Sequence, residues 1–256
     1  MKLLSPSDVT QKLRDAVDSR TPYSLVRMGD GEWTIIKYPE HAKLSKCKER
    51  IARWIGDQVL NIKQIRSIRN QIHIACRDAN ILGVPTDRER QVMAKWKNFV
   101  PLCNSYQILG ERQELFHFYQ IHNLDFKYIL KNVNEIYCIT SRDITDNIKP
   151  YFNLHSIKTF LIPPETFIWN EKMRKHNQNL NRERHYPESF EKIMRFIKTE
   201  NIKGKVFLVG AGGFGKSYCH HIKLYGGIGI DIGALFDGWA GICTRPFLKR
   251  PERFKL

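Results

Sequence analysis

Acidic residues are scarce beside basic ones: 26 Asp and Glu stand against 42 Lys and Arg in 256 residues, a formal charge of +16. That surplus implies an anionic partner, whether nucleotide phosphates, a lipid phosphate, an acidic polymer or a membrane face. Long apolar runs are missing too. The N-terminal stretch MKLLSPSDVTQKLRDAVDSR lacks the apolar run of a secretory signal, and no segment approaches the length needed to cross a bilayer. The expectation is a cytoplasmic protein, with the inner membrane face as an alternative peripheral location. Cys-x-x-Cys pairs are absent: Cys47, Cys76, Cys103, Cys138, Cys219 and Cys243 are scattered, which argues for free buried thiols rather than disulfides or a zinc site. The denser basic runs, 46–53, 172–184 and 245–255, are accompanied by no aromatic-interleaved RNA-binding signature, so nucleic-acid binding has no motif behind it. No repeat or low-complexity linker divides the chain, and 42% hydrophobic with 27% charged content is ordinary for a globular protein. One domain over residues 1–256 is expected.

What the chain does have is concentrated in two stretches. The first is VFLVGAGGFGKSYCHHIKLYGGIGIDIGALFDGWAG, residues 206–241. Val206 to Val209 is an apolar run with β-branched ends, Gly210 to Gly215 is a loop, Ser217 to Tyr225 is long enough for a crossover helix, and Ile228 to Ile232 is a second strand. A strand, a glycine loop and a helix N-terminus in that order offer unpaired N–H groups to a phosphate. Gly210, Gly212 and Gly215 satisfy G-x-G-x-x-G, Gly213 lies within the same loop, and Asp231 follows 21 residues after Gly210, where a ribose-binding acid belongs. Gly210 with Gly215, Lys216 and Ser217 also satisfies the Walker A pattern of a P-loop NTPase. Only 39 residues follow Ser217, too few for the strands that either motif expects next. The alternative for the glycines is that they permit close packing of strand on helix.

The second stretch is YSLVRMGDGEW. Tyr23 to Met28 reads as a buried strand, and Gly29, Asp30, Gly31 and Glu32 as a sharp turn before a helix beginning near Trp33. Two acids on such a turn, with glycines admitting the backbone, can hold a divalent cation against a diphosphate. Equally, they can cap the next helix. Arg27 tips the balance towards function, since a guanidinium at the end of an apolar strand requires an acid or a phosphate.

Between the two, Val9, Leu13, Ala16 and Val17 mark an N-terminal helix that ends before Thr21-Pro22. Glu49 to Ile65 reads as one core-facing helix, Ile72 to Ala75 and Ile81 to Val84 as short strands, and a helix runs from Pro85 through Trp96. Residues 94–128, rich in aromatics, are helical in pattern, with His117 and His122 among them. Ile136 to Thr140 is a strand whose end presents Ser141 and Arg142 as a second phosphate contact and leads into a helix through Tyr151. Thr159 to Ile162 is another strand. Residues 172–184 form the candidate mobile loop, and Pro187 to Thr199 a helix. About six strands alternating with helices predict a Rossmann-like α/β fold around a mostly parallel sheet.

SLVRMGDGEW, the segment 137–143, LIPPE at 161–165 and the glycine-rich C-terminal stretch together resemble the GT-D type of glycosyltransferase. The match spans most of the chain, in the family's order. The resemblance implies that Asp30 and Glu32 bind Mn²⁺ or Mg²⁺ as an Asp-x-Glu motif and act with Arg27 in catalysis on a UDP-sugar donor. It further implies that Gly210 to Gly215 and Asp231 lie in the nucleotide site, and that the acceptor is a glycan or glycoconjugate, with a lipid-linked acceptor or anionic membrane surface as a further partner. The full set of candidate nucleotide-binding residues is Gly29, Gly31, Ser141, Arg142, Gly210, Gly212, Gly213, Gly215, Lys216 and Asp231. Lys216 and Ser217 go beyond what the family pattern requires. Asp143, Glu165 and Asp237 are the candidate bases. The rivals are a P-loop kinase or NTPase using Gly210 to Ser217, and a basic non-enzymatic module for nucleic acid or membrane.

Overall fold

The structure is a computed structural model that describes residues 3–40, 42–55, 60–85, 104–105, 107–110, 112–165, 184–245, 248 and 255–256. In chain order its described elements are β1 (Leu3–Leu4), α1 (Pro6–Ser19), β2 (Tyr23–Arg27), α2 (Asp30–Ile36), α3 (Leu44–Ile55), α4 (Ile62–Asp78), β3 (Ile81–Val84) and β4 (Glu114–His117). They continue with α5 (Phe126–Ile129), β5 (Glu135–Thr140), α6 (Thr145–Tyr151), β6 (Ser156–Leu161), α7 (Phe190–Thr199), β7 (Val206–Gly210), α8 (Phe214–Leu224), β8 (Ile228–Asp231) and α9 (Leu235–Trp239). The eight strands form one sheet in the order β1-β4-β3-β2-β8-β7-β5-β6, with every pair parallel. All C-terminal strand ends therefore share one edge, the edge at which open parallel sheets place ligands.

Burial on both faces explains why the strands read as continuous apolar runs. Successive residues alternate between two cores: Val26, Phe207 and Val209 enter the one beneath α3, α4, α7 and α8, while Leu25, Val206 and Leu208 enter the one beneath α1, α5, α6 and α9. The helix starts are specified locally. Ser5 caps α1 in a reciprocal pair with Asp8, followed by Pro6 at the first helical position. Asn61 and Gln64 make the same exchange at α4, at 2.9 Å in both directions.

That second cap corrects two sequence expectations. The helix expected over 49–65 is two helices, because α3 ends at Ile55 and Asn61 opens a new one. Ile72 to Ala75 is not a strand. It continues α4, whose buried stripe Ile65, Ile68, Ile72 and Cys76 recurs at helical spacing, so the short apolar run is one turn of a longer pattern. The aromatic region also contains a strand, β4, where helix was expected. The expected helix through Trp96, the loop 172–183, Val59 and Cys103 lie outside the described residues. The five described cysteines are free, four of them buried and Cys243 exposed.

Two packing features fix the positions of α3 and α8. Helix α8 lies so close to β8 that a β-carbon on Gly229 would sit 2.8 Å from the Cα of Cys219. His185, fully buried at the turn before α7, bonds Tyr218 Oη at 3.2 Å, packs on Phe214 and hydrogen-bonds the Trp54 backbone, so it ties α3 to α8.

Two outcomes follow from this packing. Gly229→Ala pushes α8 off the sheet and lowers stability by about 1–3 kcal/mol, read as a fall in Tm of several degrees. Burial lowers the pKa of His185 from 6.5 to about 4. Between those values the unfolded chain binds a proton that the folded one refuses, so stability falls as pH drops through this window, by about 3 kcal/mol in all. Urea midpoints measured from pH 7 to pH 4 should drop steeply in the wild type and less steeply in His185→Phe.

Candidate functional site

The centre of the sheet crest is a buried group of four charges drawn from three strand ends. Arg27 is the last residue of β2, Asp231 the last of β8, Glu32 lies in the first turn of α2, and Lys216 in the first turn of α8. Asp231 is 1% exposed, Lys216 4% and Glu32 7%. The ammonium of Lys216 lies 2.8 Å from Oε1 of Glu32 and 3.1 Å from Oδ2 of Asp231. It also donates to the Gly212 carbonyl at 3.0 Å. Arg27 donates to Asp231 twice, from Nη2 to Oδ1 and from its backbone N–H to Oδ2, both at 3.2 Å. Its guanidinium fits only because residue 233 is glycine, with φ +49°: a β-carbon there would lie 1.7 Å from Nη2.

Burial alone would neutralise these groups, and their mutual attraction prevents it. Burial works against the Lys216 ammonium, yet Asp231 and Glu32 outweigh it and hold its pKa above the ordinary lysine value. Burial likewise pushes Asp231 up, while Lys216 and Arg27 hold its carboxyl below the ordinary range. Both stay ionised.

The acidic turn and the helix after the glycine loop thus meet through the lysine. Glu32 also reaches back to accept the Gly29 N–H at 3.1 Å, the helix-capping role that its position allowed. Asp30 points elsewhere: its side chain is 43% exposed and pairs with Nη2 of Arg50 at 3.2 Å. Asp30 and Glu32 therefore have different partners. Among the described residues no three His, Cys, Asp or Glu side chains are grouped as a metal site would group them. The donor set does not fit the divalent ion that an Asp-x-Glu motif implies, because Glu32 has spent one oxygen on a backbone N–H and the other on an ammonium.

The glycine loop is pressed against an indole. A β-carbon on Gly213 would lie 2.1 Å from the Trp54 ring, one on Gly212 2.9 Å and one on Gly31 3.0 Å. Trp54, on α3, fills the space between the loop and the acidic turn. The N–H groups of Gly215 and Lys216 bond back to the carbonyls of Ala211, Gly212 and Gly213. Gly210 approaches Phe236 and the Gly233 carbonyl, and Gly215 lies in ordinary contact with Val209. Close packing, the alternative reading of these glycines, accounts for their positions. Ser217 is buried on the same helix.

A second group lies at the ends of β5 and β6. Arg142, 5% exposed, bonds Asp237 through Nε at 2.6 Å, and Asp237 accepts the Thr244 hydroxyl at 2.5 Å. Arg245 bonds Glu165 at 2.7 Å, and Glu165 Oε1 reaches within 3.3 Å of where a Gly212 β-carbon would be. Ser141 is half-buried beside Arg142, and Asp143 is exposed. The sequence reading missed Arg50, Trp54 and Arg245. Arg50 and Trp54 are four residues apart and so share a helix face; an arginine aligned with a buried tryptophan was the available signal.

No curated protein matches the chain. Two solved structures of domain of unknown function 1792, one selenomethionine-substituted and the other described as having a distinct glycosyltransferase fold, each superpose with a TM-score of 0.54 at 16% identity. Each superposition covers 91% of this chain and 78% of that one. Residues 4–239 match the GT-D fold-like domain, and the chain belongs to the GT-D-like family.

Proposed function

We propose that this protein is a glycosyltransferase that moves a sugar from a nucleoside-diphosphate donor, a UDP-sugar, to a hydroxyl of a glycan or glycoconjugate. The observation that carries this reading is the meeting of the acidic turn, the β8 aspartate and the glycine-loop helix at the C-terminal strand ends of a GT-D-like chain. Around that meeting point stand four arginines, each oriented by a carboxylate: Arg27 by Asp231, Arg50 by Asp30, Arg142 by Asp237 and Arg245 by Glu165.

As the bond from the anomeric carbon to phosphate oxygen lengthens, negative charge grows on the departing diphosphate. Fixed donors aimed at that charge lower the barrier without having to reorganise. A guanidinium has five N–H donors, so one that is held by a carboxylate still has others to offer a phosphate. Arg27, whose buried Nε has no hydrogen-bond partner among the described residues, is the central one. On the acceptor side, Glu165 and Asp237 are engaged by arginines, whereas Asp143 stands exposed just past β5, which supports assigning it to take the hydroxyl proton. Mn²⁺ or Mg²⁺ enters no step of this reading, since the carboxylates that would hold it are paired within the protein.

UDP and a UDP-hexose should each raise Tm by several degrees at about a hundredfold excess over Kd, and ATP, GDP and NAD should do less. Arg27→Lys keeps the charge but loses the planar fork, and should lower kcat/KM for release of UDP from the donor about 100-fold. A chain stabilised by ATP alone would rule out sugar transfer.

A further inference from the structure

Glu32 and Asp231 face each other as two ligands of a divalent ion would, but the space between them holds an ammonium. Lys216 Nζ makes three contacts with oxygen, at 2.8 Å to Glu32, 3.1 Å to Asp231 and 3.0 Å to the Gly212 carbonyl. An ammonium has three donors, so all are used. The other Glu32 oxygen accepts the Gly29 N–H, and the other Asp231 oxygen accepts Nη2 of Arg27. Each of the four carboxylate oxygens thus has a donor from the chain itself.

The charges also close. Arg27 and Lys216 balance Glu32 and Asp231, all within a buried group. A divalent ion added here would leave two uncompensated positive charges out of water, which a protein interior strongly resists. Nor can Lys216 serve as the lysine of a P-loop, which needs an ammonium free to reach a terminal phosphate.

We propose that Lys216 is the built-in cation of this site: it holds Glu32 and Asp231 where a divalent ion would otherwise hold them, and nucleoside-diphosphate binding here proceeds without metal. The lysine is a positioning residue. Through Glu32 it fixes the turn that carries Gly29 and Asp30, and through Asp231 it fixes the guanidinium of Arg27 against Gly233. Close packing of α8 on Gly229 sets the reach of the side chain, so the cation is delivered by the fold itself. The part of the proposal that concerns the donor rests on the sugar-transfer reading; the part that concerns the metal does not.

The test uses the full chain, stripped with EDTA and titrated with Mn²⁺ by electron paramagnetic resonance. The wild type should bind no Mn²⁺ below about 1 mM, and UDP should raise its Tm equally in EDTA and in Mn²⁺. Lys216→Ala leaves two carboxylates facing each other, which should lower Tm by about 10 °C and create a site through which Mn²⁺ restores it. Mn²⁺ binding by the wild type that disappears in Glu32→Gln would overturn the proposal. So would a UDP shift that needs Mn²⁺, or a folded Lys216→Ala protein indifferent to Mn²⁺. If Lys216→Ala does not fold, the wild-type titration decides alone. If no nucleotide shifts Tm under either condition, sugar transfer falls while the Mn²⁺ titration still judges the lysine.

Discussion

One ammonium held between two carboxylates ties the middle of this molecule together. Lys216 reaches from α8 to Glu32 on α2 and to Asp231 on β8, so a single side chain links the helix after the glycine loop, the turn after the second strand and the end of the last strand. Removing one member of such a buried group leaves an unpaired charge out of water, which costs far more than the group adds while intact. The arrangement is therefore better understood as specifying geometry than as a source of stability. Its geometric conditions are visible as glycines: Gly229 lets α8 approach β8, and Gly233, at positive φ, leaves room for the Arg27 guanidinium.

Trp54 gives the second constraint. Its indole occupies the angle between the acidic turn and the glycine loop, against Gly31, Gly212 and Gly213, while His185 holds its backbone from below. A glycine loop whose carbonyls accept the Gly215 and Lys216 N–H groups and whose face is covered by an aromatic ring is a packing surface first. Under the proposed function, a diphosphate on this crest would meet side-chain guanidinium groups as well as the glycine loop. That is a different solution from the P-loop, reached with nearly the same sequence pattern.

Much of this was legible in the sequence. Largely apolar runs marked β2, β5, β7 and β8 because strands buried on both faces need no alternation. Arg27 and Asp231 stood out as charges at strand ends. What could not be read was which of two competing roles each polar residue had taken. Glu32 three residues after Gly29 fits a cap and a metal ligand equally well; its pairing with Lys216, 184 residues further on, is invisible to either pattern. Ile72 to Ala75 failed for a related reason: four apolar residues fit a strand or a helix turn, and the helix stripe that resolves them begins at Ile65. The aromatic region hid β4, a strand of four residues at 114–117. Trp54 read as core, which it is, but its neighbours across the fold are glycines that no local pattern connects to it.

The chain's surplus of positive charge also finds its place in this picture. At the crest Arg27, Lys216, Arg50, Arg142 and Arg245 are matched by Asp231, Glu32, Asp30, Asp237 and Glu165, five against five. The formal +16 therefore belongs to the rest of the molecule, including exposed Lys63, Arg66 and Arg77 along α4. These two distributions do different work. A diffuse positive surface draws an anion in from a distance and is screened within about 10 Å at ordinary salt. Among the described residues the ion pairs of the crest balance, so under the proposed function selection among anions would lie in the arginine geometry that Asp231, Asp30, Asp237 and Glu165 impose.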